Sequence, residues 1–153
     1  MGTEIRLATK DDLPALEQVL KQTDLFPPDM LEDMMSPFLE GKSDSFWMTC
    51  LHDGSVSGFT FTAPEDLTDG TWNMLAIAVL PSLQTLGLGR ELIRHTEKHL
   101  RALKQRLIIA DTSGTSAFAG TRQFYDSVGY REVARIPDFW AEGDNKIVFA
   151  RKL

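Results

Sequence analysis

The stretch that most constrains this chain runs from Met74 to Arg90. An apolar run, Met74 to Leu80, is closed by Pro81. Gln84-Thr85-Leu86-Gly87-Leu88-Gly89-Arg90 follows, and a helical pattern then continues to about Lys104. The order predicts a strand, a glycine-containing loop and a helix. The first turn of a helix carries backbone N–H groups with no intrahelical partner, and the helix dipole makes that end positive. Glycine at 87 and 89 removes the β-carbons that would hold a phosphate away from those amides. Two other phosphate loops do not fit. A dinucleotide-binding turn needs a third glycine where Leu92 stands, and a tighter connection than Pro81 to Leu86. A P-loop needs Gly-Lys-Ser/Thr, which does not follow.

The rest of the chain supplies a single-domain frame, residues 1–153, for that element. At 42% hydrophobic residues it can build a core. A formal charge of −6 argues against binding through nucleic-acid phosphates and mildly favours cationic substrates. Cys50 is the only cysteine, which excludes an internal disulfide, and its strand-like flanks make it a core residue. Met1 to Thr9 is polar and mixed, and Met74 to Leu80 is far too short to cross a bilayer. No membrane attachment is expected, and a cytoplasmic protein is.

Read in order, Thr3 to Ala8 alternates as a strand. Thr9 and Asp12 look like a cap, and Leu13, Leu16 and Leu20 form the buried face of a helix ending near Thr23. Asp29 to Gly41 is a second helix, with Pro37 expected to kink or break it. Phe46 to Leu51 and Val56 to Ala63 flank Asp53-Gly54, a hairpin signal. Trp72 to Leu80 is the strand before the glycine loop. On the third helix Leu88, Leu92, Ile93, Leu100 and Leu103 share a sector. Leu107 to Ala110 is a short strand ended by Asp111, Ser116 to Ser127 is a fourth helix, and Tyr130 to Ile136 and Lys146 to Ala150 are strands. The segment between these last two, Pro137 to Asn145, reads as a long aromatic and acidic connection. The order β α α β β β α β α β β predicts an α/β (α+β) fold: one mixed, mostly antiparallel sheet of about seven strands with helices on both faces.

Phe124-Tyr125-Asp126-Ser127-Val128-Gly129-Tyr130 closes the fourth helix. Together with Gln84-x-x-Gly87-x-Gly89 it resembles the GCN5-related N-acetyltransferase family, and the order of elements matches that family over nearly the whole chain. The resemblance implies an acetyl-CoA-dependent N-acetyltransferase that uses no metal. Ile77, Ala78 and Val79 would pair through their backbone with the pantetheine amides. Gln84, Thr85, Leu86, Gly87, Leu88, Gly89 and Arg90 would hold the pyrophosphate, and Tyr125 would stand near the thioester sulfur. Arg122 shares a helix face with Phe118 and Tyr125 that is expected to turn toward the cofactor. The family's common Arg is Gln84 here, and its Asn and Ala before the tyrosine are Phe118 and Thr121.

Acetyl transfer to an amine needs a proton removed from the amine and one supplied to the departing sulfur. A phenol keeps its proton at neutral pH and can donate it to an emerging thiolate, which makes Tyr125 the expected general acid. The strand Trp72 to Leu80 has no carboxylate. Asn73 there can position a water, Asp111 is the nearest carboxylate by sequence, and a water-relayed base is preferred. His95 and His99 stand i,i+4 without a third ligand, which does not make a metal site. Leu25, Phe26, Trp47, Trp72, Phe139 and Trp140 are candidate walls for the acceptor, with Asp24, Glu65, Asp66, Asp138, Glu142 and Asp144 in nearby loops. Those residues fit a primary amine, on a small molecule or a peptide, without choosing among them. A catalytically silent acyl-CoA-binding module is the alternative reading. The exposed aromatic segment Pro137 to Trp140 also suits a homodimer contact.

Overall fold

The computed structural model describes residues 2–153. Its strands are β1 (Thr3–Leu7), β2 (Phe46–His52), β3 (Ser55–Pro64), β4 (Thr71–Val79), β5 (Leu107–Ser113), β6 (Arg131–Ala141) and β7 (Asp144–Lys152). The helices are α1 (Leu13–Thr23), α2 (Leu31–Leu39), α3 (Leu88–Ala102) and α4 (Ala119–Ser127). The strands form one sheet in the order β1-β2-β3-β4-β5-β7-β6. Every neighbouring pair is antiparallel except β4 and β5, which are parallel.

Strand alternation divides the core in two. Leu16, Val19 and Leu20 of α1 and Leu31 and Met35 of α2 pack with Trp47, Phe59, Ala76 and Ala78 on one face of the sheet. Leu88, Leu92, Ile93 and Leu100 of α3 and Tyr125 of α4 pack with Phe46, Met48, Cys50, Ile108, Ala110 and Phe149 on the other. Full burial of one such leucine or phenylalanine contributes about 1.5–3 kcal/mol, so α1 and α3 are held by their apolar stripes. The entry to α1 is fixed by Asp12. Its carboxylate accepts the Thr9 amide at 2.8 Å and a two-point guanidinium contact from Arg6 at 2.7 and 2.9 Å. The β2–β3 hairpin turns at Asp53-Gly54, both at positive φ (50° and 83°), as a tight two-residue turn requires.

Four sequence expectations are revised. α2 runs unbroken through Pro37 to Leu39. Leu103 lies beyond the end of α3 and is exposed. Asp111 does not end β5, because Asp111, Thr112 and Ser113 stay paired with Val148, Ile147 and Lys146 of β7. The segment Pro137 to Asn145 is no loose connection. β6 continues through it to Ala141, and the hairpin turns at Glu142-Gly143. Pairing jumps from Ile136–Lys146 to Ala141–Asp144, so Pro137 to Trp140 form a bulge. Asp138, at φ 55°, fixes the bulge by accepting the Gly143 amide at 2.8 Å and donating its own to Asn145 Oδ1 at 3.1 Å.

Candidate active site

The parallel pair β4 and β5 holds together only from Thr71–Leu107 to Asn73–Ile109. Above that, β4 follows β3 and β5 follows β7, so the two strands part and leave facing backbone edges without a ladder. On β4, Thr62 pairs with Met74 and Phe61 with Ala76, which leaves Leu75 as the extra residue of a bulge, 54% exposed. Beyond the bulge the Leu80 amide donates to Ser57 O on β3, and the Ala78 carbonyl lies against Gly58 of β3. Alternation then turns the N–H and C=O groups of Ile77 and Val79 toward the gap. Backbone groups need partners, and these have none from β5. The Val79 carbonyl already accepts the Gln84 side-chain amide at 3.1 Å.

At the mouth of the gap, Pro81–Leu86 makes a 3-10 turn and Gly87 stands at φ 80°, in the left-handed region, as the cap of α3. A β-carbon on Gly87 would meet nothing within 4 Å, so what calls for glycine there is the backbone conformation. Gly89 is different: its missing β-carbon would lie 3.1 Å from Phe124 Cζ, so that glycine lets α4 pack on α3. Thr85, Leu86 and Gly87 are exposed and Leu88 is buried in the core. Arg90 lines a separate groove with Arg94, Glu97 and Arg101 of α3 and Arg151 of β7. The exposed α3 entry and the unpaired β4 edge suit a ligand that carries phosphates at one end and amides along its arm.

Tyr125 of α4 packs into the core on the α3 side of the sheet. It is 3% exposed, with its ring against Phe149 at 5.3 Å and Tyr130 at 5.8 Å between centroids. Burial, with the Asp111 carboxylate nearby, holds its phenol above the usual tyrosine range, and no hydrogen bond contributes. Arg122 gives its Nη1 to the carbonyls of Ser113 and Thr115, both at 2.8 Å, and so ties down the β5–α4 turn.

A polar chain crosses the opposite face of the gap. Trp72 and Met74 point to the α3 side, as do Ile108 and Ala110, so Asn73 and Asp111 point to the α1–α2 side. Asn73 Nδ2 donates to Glu65 Oε1 at 2.9 Å and to Asp111 Oδ2 at 3.2 Å. Lys146 Nζ lies 3.4 Å from the same Asp111 oxygen and 4.3 Å from the centroid of Phe139. Trp140 donates from Nε1 to the Thr112 carbonyl at 3.3 Å and meets Phe139 edge to face. Among the expected acceptor walls, Phe139 and Trp140 lie beside Lys146 and Leu25 is exposed, but Trp47 and Trp72 are buried core residues. Phe26 packs on Phe59. Asp24 ends α1 at φ 53°, and Asp144 accepts the Ser113 hydroxyl. His95 Nδ1 meets the Glu91 carbonyl at 2.9 Å, and His99 packs on Phe46, where burial lowers its pKa. Sequence reading named Asn73 and Asp111 separately and passed over Lys146 and Leu75.

The comparisons agree with this geometry. The model of the Acetyltransferase (GNAT) family matches residues 11–130. A solved structure from Desulfovibrio desulfuricans, described as an acetyltransferase of the GNAT family, shares 28% identity at a TM-score of 0.89, over 99% of each chain. The ribosomal-protein-S18-alanine N-acetyltransferase of Escherichia coli shares 19% identity at a TM-score of 0.77, over 98% of this chain and 93% of its own. An acetyltransferase from Salmonella typhimurium, solved with its cofactor acetyl-CoA, shares 18% at 0.79, over 100% of this chain and 95% of its own. No curated protein sequence matches. A family match over most of the chain, on a sheet that parts between its two parallel strands, places this chain in the Acetyltransferase (GNAT) family.

Proposed function

We propose that this acetyltransferase moves the acetyl group of acetyl-CoA directly to a primary amine, with both substrates bound in the gap between β4 and β5. The observation that carries the reading is that gap: one unpaired strand edge at Ile77 and Val79 and a helix N-terminus at its mouth. Acetyl-CoA supplies the activated acyl carbon. The amides of Ile77 and Val79 hold the pantetheine arm as an added strand would, and the amides from Leu86 to Arg90 receive the pyrophosphate. Leu88 and Gly89 contribute backbone only, since one side chain is core and the other absent. Arg122 acts by fixing the turn before α4.

Tyr125 is the general acid in this reading. Its hydroxyl is protonated at neutral pH, as any phenol's is, and can hydrogen-bond to sulfur and protonate it as charge develops there. The amine approaches from the α1–α2 side, past Phe139 and Trp140, and loses its proton through a water held by the Asn73–Asp111 pair. The S18-alanine enzyme of Escherichia coli supplies a precedent for an amino-group acceptor on a peptide.

The test is release of free CoA thiol from acetyl-CoA with a panel of primary amines: alkylamines, diamines, amino acids and short peptides. Amine-dependent release with N-acetylated product is expected. Tight acetyl-CoA binding with release by none of them would overturn the enzymatic reading in favour of a binding module.

A further inference from the structure

A groove of about 420 Å³ lies between α3, the end of α4 and β7. Arg90, Arg94 and Arg101 of α3 and Arg151 of β7 line it, and Glu97 is the one carboxylate among the lining residues. Four guanidiniums against one carboxylate leave three positive charges in excess, in a chain whose formal charge is −6. Counting Glu91, which meets Arg94 at 3.2 Å, still leaves two. The groove holds four of the nine arginines and none of the seven lysines.

The guanidiniums are positioned, and their donors are largely free. Glu97 is 2% exposed and accepts the Tyr130 hydroxyl at 2.9 Å. It stands 3.8 Å from Arg101 and 3.7 Å from Arg151. It thus draws both guanidiniums together from a deeper position without taking a hydrogen bond from either. Arg151 donates Nη1 to the Val128 carbonyl at 2.6 Å, at the end of α4. Gly129, at φ 93°, leaves the room for it: a β-carbon there would lie 2.7 Å from the same nitrogen. A guanidinium has five N–H donors, and among the described residues the four make only the Arg94 and Arg151 hydrogen bonds.

Arg90 to Arg101 covers about 16 Å of helix at 1.5 Å per residue. One phosphate or carboxylate cannot meet all three α3 arginines, but a row of anionic groups can. The lining offers no anchor for an apolar side chain, because Ile93 and Val128 are themselves buried. A chain of linked phosphates needs no such anchor, and it presents paired oxygens that match guanidinium forks. The groove also leads away from the cofactor gap. Arg151 pairs with Ile108, and Ile108 with Trp72, where β4 and β5 are still joined.

We propose that this groove is a second anion site, which takes a short chain of phosphates, inorganic or carried by a nucleotide, while acetyl-CoA occupies the gap. The site does not depend on the acetyl-transfer reading. Its ligand bridges α3, α4 and β7, so binding stabilises the folded chain.

The experiment is calorimetric titration of the protein loaded with coenzyme A, with sodium tripolyphosphate as the probe. One tripolyphosphate should bind per chain, with affinity that falls as salt rises and exceeds that of inorganic phosphate by about tenfold or more. Arg94 and Arg101 are exposed, so the Arg94→Gln, Arg101→Gln double variant should keep its fold, as urea unfolding checks. It should lose about tenfold or more in tripolyphosphate affinity, as loss of two charged donors predicts. Arg135→Gln, on β6 and outside the groove, should change nothing. Adenosine triphosphate binding as tightly as tripolyphosphate places recognition in the phosphates, and tighter binding assigns the site to a nucleotide; either supports the proposal. No binding of tripolyphosphate, full competition by coenzyme A, tighter binding of hexaglutamate, or unchanged affinity in the double variant overturns it. Failure of coenzyme A to bind overturns the acetyl-transfer reading alone, and the same titration of the free protein then tests the groove.

Discussion

The Phe124 ring of α4 lies against the backbone of α3 at Gly89, so closely that a β-carbon there would come within 3.1 Å of Cζ. The two glycines of the loop therefore answer to different demands, and substitution separates them. Gly89→Ala forces the α3–α4 contact apart. It should destabilise the fold by about 1–3 kcal/mol, the usual effect of overpacking. Phe124→Leu in the same chain should return part of that. Gly87→Ala meets no atom but places a side chain at φ 80°, a loss of about 1–2 kcal/mol that no substitution at Phe124 relieves. Urea unfolding of the four variants checks this. Equal rescue of both glycine variants by Phe124→Leu would contradict it.

Tyr125→Phe keeps the ring among Phe149 and Tyr130 and removes only the hydroxyl. Turnover should fall by about 10²-fold with acetyl-CoA affinity changed by less than about twofold, the signature of an interaction made in the transition state. Because the folded phenol titrates above its ordinary range, no descending limb below about pH 10 in the wild-type pH–rate profile should belong to Tyr125. Full turnover in the Phe variant would make Tyr125 a packing residue.

The core around this site was legible where the signal is local. The strand, the glycine turn and the amphipathic α3 follow from neighbouring residues, and so did Asp53-Gly54. What was not legible joins distant parts of the chain. Asn73 and Asp111 meet across 38 positions, and Lys146 joins them from β7. The bulge at Leu75 depends on how β3 and β4 pair. Pro137 and Asp138 have the composition of a loop, yet hydrogen bonds from Gly143 and to Asn145 keep them within a strand. That Gly89 also makes room for the Phe124 ring was not legible, because Phe124 lies 35 positions away in the chain.

Acid should weaken the fold through Asp12. The Arg6 guanidinium first, then the Thr9 amide, hold its carboxyl below the ordinary range, against the opposing effect of burial. A group with a depressed folded pKa contributes stability above its unfolded pKa and loses it as pH falls through the folded one. Asp12→Asn should therefore cost about 1.5–3 kcal/mol at pH 7, the range for hydrogen bonds to a charged group, and the difference from wild type should shrink below about pH 4. A difference that stays constant from pH 7 to pH 3 would contradict the assignment.

Cys50 is fully buried in β2, and burial pushes its thiol up to about 11. The thiolate is the reactive form, so a thiol-specific reagent at pH 8 should modify it only on unfolding. Modification at the rate of a free thiol in the folded protein would place Cys50 elsewhere.

The central claim is that acetyl-CoA enters between β4 and β5 as an added strand, with its phosphates at the start of α3. Hydrogen exchange with and without acetyl-CoA, read by mass spectrometry or NMR at amide resolution, tests it directly. The account predicts new protection at Ile77 and Val79 and across Leu86 to Arg90, with Ala78, already turned to β3, and the amides of β1 unchanged. Binding that protects other amides and leaves Ile77, Val79 and the α3 entry exchanging as in the free protein would contradict it.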